Sequence, residues 1–340
     1  MYQPYGYPYY PYDEGYYQKC QQQLLQKKED KRNIRRLANC TGGAVIAYLL
    51  LQNALSLLIT AFGLEDIYID NSFFQTGLNT ILVVVTILPS FIIFGRKMQK
   101  ISGIENPVPL NRPRGFVNTV LAFFAGMGIC MVANYVTGIV SVITSVFGYT
   151  PTTPDIAMPE GAFGFCLSFA QIVLAAATVE ELSLRGYAMG NLRKYGDVFA
   201  IVASSIVFAL IHGNLVQIPF AFIAGLGMGY LTVKTKSLWT GVLIHAGNNL
   251  FSVASVYGLM YFEEEAFNMV YSGAFMLIAV VGMACLAAFV KRNRAYPLVK
   301  SLSPLSTKEK LTAFISSPAI IVVAVIMLIT SLVYLIPVAE

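Results

Sequence analysis

GAFGFCLSFAQIVLAAATVEELSLRGYAMGNLRKYGDVFAIVASSIVFALIH, residues 161–212, is two apolar runs joined by a short basic turn. The runs, 161–184 and 197–212, approach the roughly 20 residues a helix needs to cross the hydrocarbon core of a bilayer. The first nevertheless holds Glu180 and Glu181, and the second ends on His212. Ionisable groups in a bilayer are expensive, about 2.5–3.5 kcal/mol for Asp, Lys or Arg at a helix centre, so those retained there usually mark function.

Outward from this stretch, further apolar segments recur at 41–63, 75–95, 116–147, 216–233, 238–260, 267–290 and 314–337. The 340 residues are 56% hydrophobic and 12% charged, outside the usual balance of a soluble domain. The fold class is all-α, a polytopic integral membrane helical bundle with eight or nine transmembrane helices. The net charge of +5 does not point to nucleic acid, because the charges are sorted by side. If the N-terminus is cytoplasmic, the inner segments hold Lys27, Lys28, Arg35, Arg36, Arg96, Lys97, Arg112, Arg114, Arg193, Lys194, Lys234, Lys236, Lys291, Arg292 and Lys310. The opposite loops carry only acids: Glu65, Asp66 and Asp70, then Asp155 and Glu160, then Glu263 to Glu265. That is the positive-inside pattern. It places the N-terminus inside, and the C-terminus outside if nine spans hold, in a membrane expected to be the plasma membrane of a bacterium.

Four regions follow. Residues 1–38 read as a disordered Tyr-rich and basic cytoplasmic tail, since tyrosines interleaved with Pro and Gly cannot bury a core and the polar basic run after them suits an anionic inner leaflet. Residues 39–147 hold N-terminal transmembrane helices, 160–260 the chemistry and 261–340 C-terminal transmembrane helices. Cys20, Cys40, Cys130, Cys166 and Cys285 show no CxxC spacing and imply no disulfide framework. GLGMGY, Gly225 to Tyr230, reads as small residues that let helices approach closely. It is a poor nucleotide loop, with no strand before it and no phosphate-binding Lys after it.

Glu180 and Glu181 are the only acids inside spans, and the only two histidines, His212 and His245, also fall in spans. Glu180 lies 16 residues before Gly196 and His212 lies 16 after it, so in an antiparallel hairpin they are nearly level, roughly 24 Å from the turn at the helical rise of ~1.5 Å per residue. His245 lies roughly 13 Å from the inner end marked by Lys236. Residues four apart share a helix face, which pairs Glu181 with Arg185, Phe208 with His212 and His245 with Asn249. The first pair reads as an internal ion pair, leaving Glu180, about 100° around the helix, free for work. A free buried carboxylate suits general acid–base chemistry. His212 can share its water or proton, and His245 with Asn249 can donate hydrogen bonds to an oxyanion. A Glu and two His are also ligands that a divalent metal such as Zn²⁺ takes with a fourth position open for water. A site on Glu180, His212 and His245 therefore stands beside a metal-free, glutamate-activated water, with no cofactor certain. A buried Glu–Arg pair or a lone intramembrane His is often merely structural; the whole set on three spans is harder to read that way. No G-x-S-x-G appears and no Asp falls inside a span, so Ser and Asp chemistry lack support.

At these residues the chain resembles the CAAX prenyl protease and bacteriocin-processing (Abi) family of intramembrane proteases. EExxxR matches Glu180 to Arg185, FxxxH matches Phe208 to His212, and HxxxN matches His245 to Asn249, within about residues 160–260. The resemblance implies an intramembrane endopeptidase in which Glu180 activates water with His212. In it His245 and Asn249 stabilise the oxyanion, while Glu181, Arg185 and Phe208 hold the site. Members of the family have been described both as metalloproteases and as glutamate proteases. The expected partners are the lipid bilayer and a membrane-associated peptide or protein, lipidated in some relatives; nucleic acid is not expected. Spans four to seven are expected to enclose a cavity opening toward the cytoplasm and inner leaflet. Two rival functions fit the same composition. A proton-coupled transporter would show inverted repeats, of which the halves give no convincing sign, and a non-proteolytic scaffold or immunity protein would survive loss of Glu180.

Overall fold

A computed structural model describes residues 14–154, 156 and 158–337. The Tyr-rich stretch up to residue 13, Asp155 and the last three residues lie outside the described residues. Among the described residues the fold is an all-α bundle with one two-stranded ribbon. In chain order the helices are α1 (Glu14–Ala61), α2 (Glu65–Asp70), α3 (Ser72–Ser102), α4 (Phe116–Val146), α5 (Gly161–Tyr195), α6 (Asp197–Leu210), α7 (Gln217–Thr235), α8 (Leu238–Tyr261), α9 (Glu264–Arg292), α10 (Thr307–Ile315) and α11 (Pro318–Val333). Strands β1 (Tyr149–Pro151) and β2 (Leu335–Pro337) pair antiparallel, with Thr150 opposite Ile336.

Each apolar segment of the sequence is helical, but not each qualifies as a span. Six described helices are long and apolar enough to cross a membrane, or seven if α10 and α11, bent by 68° at Ser316–Ser317, count as one. The expected eight or nine is not reached by that measure, for two reasons. Helix α6 has 14 residues, about 21 Å at ~1.5 Å per residue, short of a ~30 Å core. Helix α8 is long enough, but His245, Asn248, Asn249, Ser252 and Ser255 lower its hydropathy. A second correction concerns the tail. Helix α1 begins at Glu14, so 14–38 is helical rather than disordered. QQQLLQKKEDKR consists of helix formers with no Gly or Pro, and the helix continues them into the first apolar run.

The buried face of α1, Ile34, Leu37, Ala38, Thr41, Ala44 and Val45, keeps the three- and four-residue spacing of one helical stripe. Its other face is apolar and exposed, as lipid permits. Helices α1 and α3 pack together, as do α4 with α7 and α9, and α6 with α7. A Cβ on Gly128 of α4 would lie 2.7 Å from the Gly282 backbone of α9, so that pair of helices meets backbone to backbone. GLGMGY lets side chains of neighbouring helices seat on α7, whose Gly227 abuts the Ile129 side chain and whose Gly229 abuts that of Ile201.

The connections gather into two layers. At one end the linker before α4 binds the α7–α8 turn, with Leu238 N–H donating to Pro109 O at 2.8 Å and Arg114 N–H to Thr235 O at 3.4 Å. There Lys234 Nζ also donates to Asn293 O at 2.9 Å and to Tyr296 O, Lys310 Nζ donates to Tyr195 O at 3.0 Å, and Val299 N–H donates to Asp197 Oδ2 at 2.8 Å. At the other end β1 pairs with β2, Tyr257 Oη donates to Pro159 O at 2.7 Å, and Phe73 stacks on Phe163 with centroids 5.9 Å apart. The first layer holds the basic linkers and the second the acidic ones, so the alternation read from the charges is physically assembled.

Candidate active site

Glu181 is the anchor of the site. Its Oε1 forms an ion pair with Arg185 Nη1 at 2.8 Å, both side chains fully buried, and accepts from His245 Nδ1 at 3.2 Å. Desolvating two charges is tolerable only with good geometry and further partners, and Arg185 has one in the Phe208 ring, 4.1 Å from Cζ. The other oxygen of Glu181 lies against Gly241 and Thr232; a Cβ on Gly241 would meet them at 2.6 and 2.8 Å. Helix α5 has π-helical geometry over Phe169–Ala176 and Leu182–Met189, on both sides of Ala177–Glu181. Such turns are frequent at functional sites, and here they flank the two glutamates.

Each histidine has one nitrogen spoken for. Helix α6 stops at Leu210, and Gly213 turns the chain with φ +60. His212 Nδ1 lies 2.7 Å from Phe208 O; a carbonyl only accepts, so Nδ1 carries the hydrogen and Nε2 has a free lone pair. His245, donating Nδ1–H to Glu181, likewise presents Nε2. Phe208 meets both rings edge-on, at 4.9 Å from His212 and 5.6 Å from His245, and so carries Arg185 and both imidazoles on one ring. Asn214, fully buried, fixes the turn. Its Nδ2 donates to His212 O at 2.9 Å and its Oδ1 accepts from Gln217 N–H at 2.9 Å. Sequence reasoning missed it, although Gly-Asn directly after His212 is a turn and cap signal.

Glu180 is the unpaired member. Its Oε2 is buried without a hydrogen-bond partner, 3.9 Å from His245 Nε2. Asn249 Nδ2 donates to Ile172 O at 2.9 Å and keeps a second N–H for the cavity it lines with His212, His245 and Asn248. Asn248 and Tyr48 were not singled out from the sequence; Asn248 stands inside the HxxxN motif, whereas Tyr48 gives no local signal.

The cavity is about 550 Å³ and does not open where the sequence suggests. From the catalytic level it follows α4 from Cys130 to Thr137, α7 from Met228 back to Gln217 and α8 from His245 to Val256, and it reaches Thr153, Pro154 and Met158. These all lead toward the acidic end. On the basic side of Glu181 the interior is closed by Arg185, Ser205, Leu231 and Thr232, each at most 1% exposed. Arg193–Tyr195, the end of α5, lies in the basic layer, where Lys310 Nζ donates to Tyr195 O, and His212, just past the end of α6, lines the cavity. A second cavity of about 630 Å³ reaches His212 from between α1 and α11, past Tyr48, Gln52, Asn53 and Thr330.

A metal on Glu180, His212 and His245 would find the right donor types, with each imidazole Nδ1 held by an acceptor as in metal sites. The placement does not fit: among the described residues no three His, Cys, Asp or Glu side chains are grouped closely enough to hold an ion. The chemistry below is therefore carried by protein groups.

Glu180 thus stands beside two oriented imidazoles and near a cavity lined by amides, and one comparison bears on the family. Residues 162–251 match the family described as Type II CAAX prenyl endopeptidase Rce1-like. The match spans all three motifs and is consistent with a CAAX protease family member. No curated protein and no solved structure matches the chain.

Proposed function

We propose that the chain is an intramembrane endopeptidase that hydrolyses a peptide bond in a membrane-associated peptide or protein with a water activated by Glu180. The observation that carries this reading is the buried Oε2 of Glu180, which has no hydrogen-bond partner and lies 3.9 Å from Nε2 of His245, a residue that lines the cavity. A carboxylate kept there without a hydrogen-bond partner has no structural return, and a water bridging it to the imidazoles supplies one.

The steps balance. Water donates one hydrogen bond to Glu180 and the other to His212 Nε2, which aims its oxygen at the scissile carbonyl. Glu180 takes the first proton as the C–O bond forms, and the second N–H of Asn249 donates to the oxyanion. His245, its ring fixed by Glu181, shares the proton on Glu180. That proton then passes to the leaving nitrogen, the C–N bond breaks, and the water oxygen stays in the new carboxyl group. A positioned general base typically contributes about 10²–10⁴-fold, and one oxyanion donor about 10²–10³-fold.

The test is cleavage of a fluorogenic prenylated peptide and of a membrane-derived peptide pool by the full chain in detergent, with and without a strong chelator. Product formation that survives the chelator is expected. Loss on chelation would replace the protein-only mechanism with a metal-dependent one, and no product from any peptide would remove the protease reading.

A further inference from the structure

The mouth of the cavity and the sorting of charge were obtained independently, and together they say from which side a substrate arrives. Every Lys and Arg except Arg185 lies in the basic layer, on linkers beside it or on the polar extension of α1. The connections at the other end, 62–71, 147–160 and 262–263, contain none. Lys and Arg in short loops next to spans are retained on the cytoplasmic side, so the basic layer is cytoplasmic. The cavity runs from His245 and His212 away from that layer to Thr153, Pro154 and Met158, and the buried plug of Arg185, Ser205, Leu231 and Thr232 shuts the cytoplasmic route.

We infer that the site draws its substrate from the extracytoplasmic side: an exported peptide, or the outward-facing segment of a membrane protein, enters past Thr153 and Pro154 and descends in extended form to His212 and His245. This rests on the protease reading for the word substrate, but the sidedness stands on geometry and charge alone. The lining also describes what descends. Besides the two histidines, its polar side chains include Asn134, Thr137, Gln217, Asn248, Asn249 and Ser252, and among the described residues no Lys, Arg, Asp or Glu lines it. Amides and hydroxyls pair with the N–H and C=O groups of an extended backbone, and the absence of charge selects against charged side chains near the scissile bond.

Two measurements on cells making the full chain separate this inference from the protease reading. In the first, Thr153→Cys and Lys300→Cys, both at exposed positions, are treated with a membrane-impermeant maleimide and read against the parent chain. Thr153→Cys is expected to label on intact cells and Lys300→Cys only after permeabilisation; the reverse pattern overturns the sidedness whatever the enzyme does. In the second, one uncharged peptide segment is displayed by a membrane anchor on either face, beside the wild type or Glu180→Gln. Cleavage of the outward-facing reporter, at least tenfold faster than of the inward-facing one and lost in the variant, supports the inference. Preferential cleavage of the inward-facing reporter overturns it and keeps the protease. If neither reporter is cut, the protease reading for this substrate class fails and the labelling pattern alone decides the sidedness.

Discussion

Glu181 holds Arg185 and His245 with one oxygen, so the two charges and the catalytic ring form a single unit. Removing one partner leaves a buried charge uncompensated, which typically costs about 3–5 kcal/mol. Arg185→Met should therefore lower the thermal midpoint in detergent sharply, and Arg185→Met with Glu181→Gln should recover part of the loss. Additive midpoints in that double-mutant cycle would mean that the pair is not coupled. Asn249→Ala should reduce kcat about 10²–10³-fold, the usual loss of one oxyanion donor, with KM nearly unchanged; a rise in KM alone would assign Asn249 to binding. At this scale the sequence was most legible. Residues i and i+4 on a helix must meet, so Glu181–Arg185 followed from spacing. The Glu181–His245 contact and the shared Phe208 ring did not, because they join helices far apart in the chain.

At the scale of elements, what positions the site is the closeness of helices. Helices α4 and α9 touch through Gly128 and Gly282, and α4 in turn lines the cavity. Gly128→Val places two methyl groups where backbone now lies, and overpacking of this kind costs about 1–3 kcal/mol. A lower thermal midpoint with a matching fall in activity is expected, and an unchanged midpoint would show that the helices part without penalty. Every apolar run proved helical because hydropathy reports burial in lipid or protein alike. It could not report that α6 stops at Leu210. That depends on the Gly213 turn and the Asn214 cap, small local signals inside an otherwise apolar stretch. The polar run after the tyrosines was read as tail because it has no core to join, yet helix propensity and continuity with the first span keep it helical.

For the whole molecule, the charge pattern was legible and the cavity was not. Sorting of Lys and Arg needs only the order of spans, and the two layers of loop contacts match it. Which way a void runs depends on where each helix leaves space, and no local pattern encodes that. The matched segment, 162–251, also lacks parts of the surroundings of His212: Tyr48 of the second cavity comes from α1, and Cys130 and Asn134 of the first cavity's wall come from α4. Residues 162–251 expressed alone are therefore expected to give no cleavage and no cooperative unfolding transition. Activity from that fragment would show that α1 and α4 are dispensable.

The central claim is that Glu180 takes the proton from water, and the most direct measurement is the cleavage rate and thermal midpoint of Glu180→Gln beside the wild type. Because Glu180 Oε2 has no hydrogen-bond partner, the variant should stay folded with an equal or higher midpoint and lose at least about 10²–10⁴-fold in kcat, the range of a general base. Cleavage at the wild-type rate by a folded Glu180→Gln protein would contradict the account.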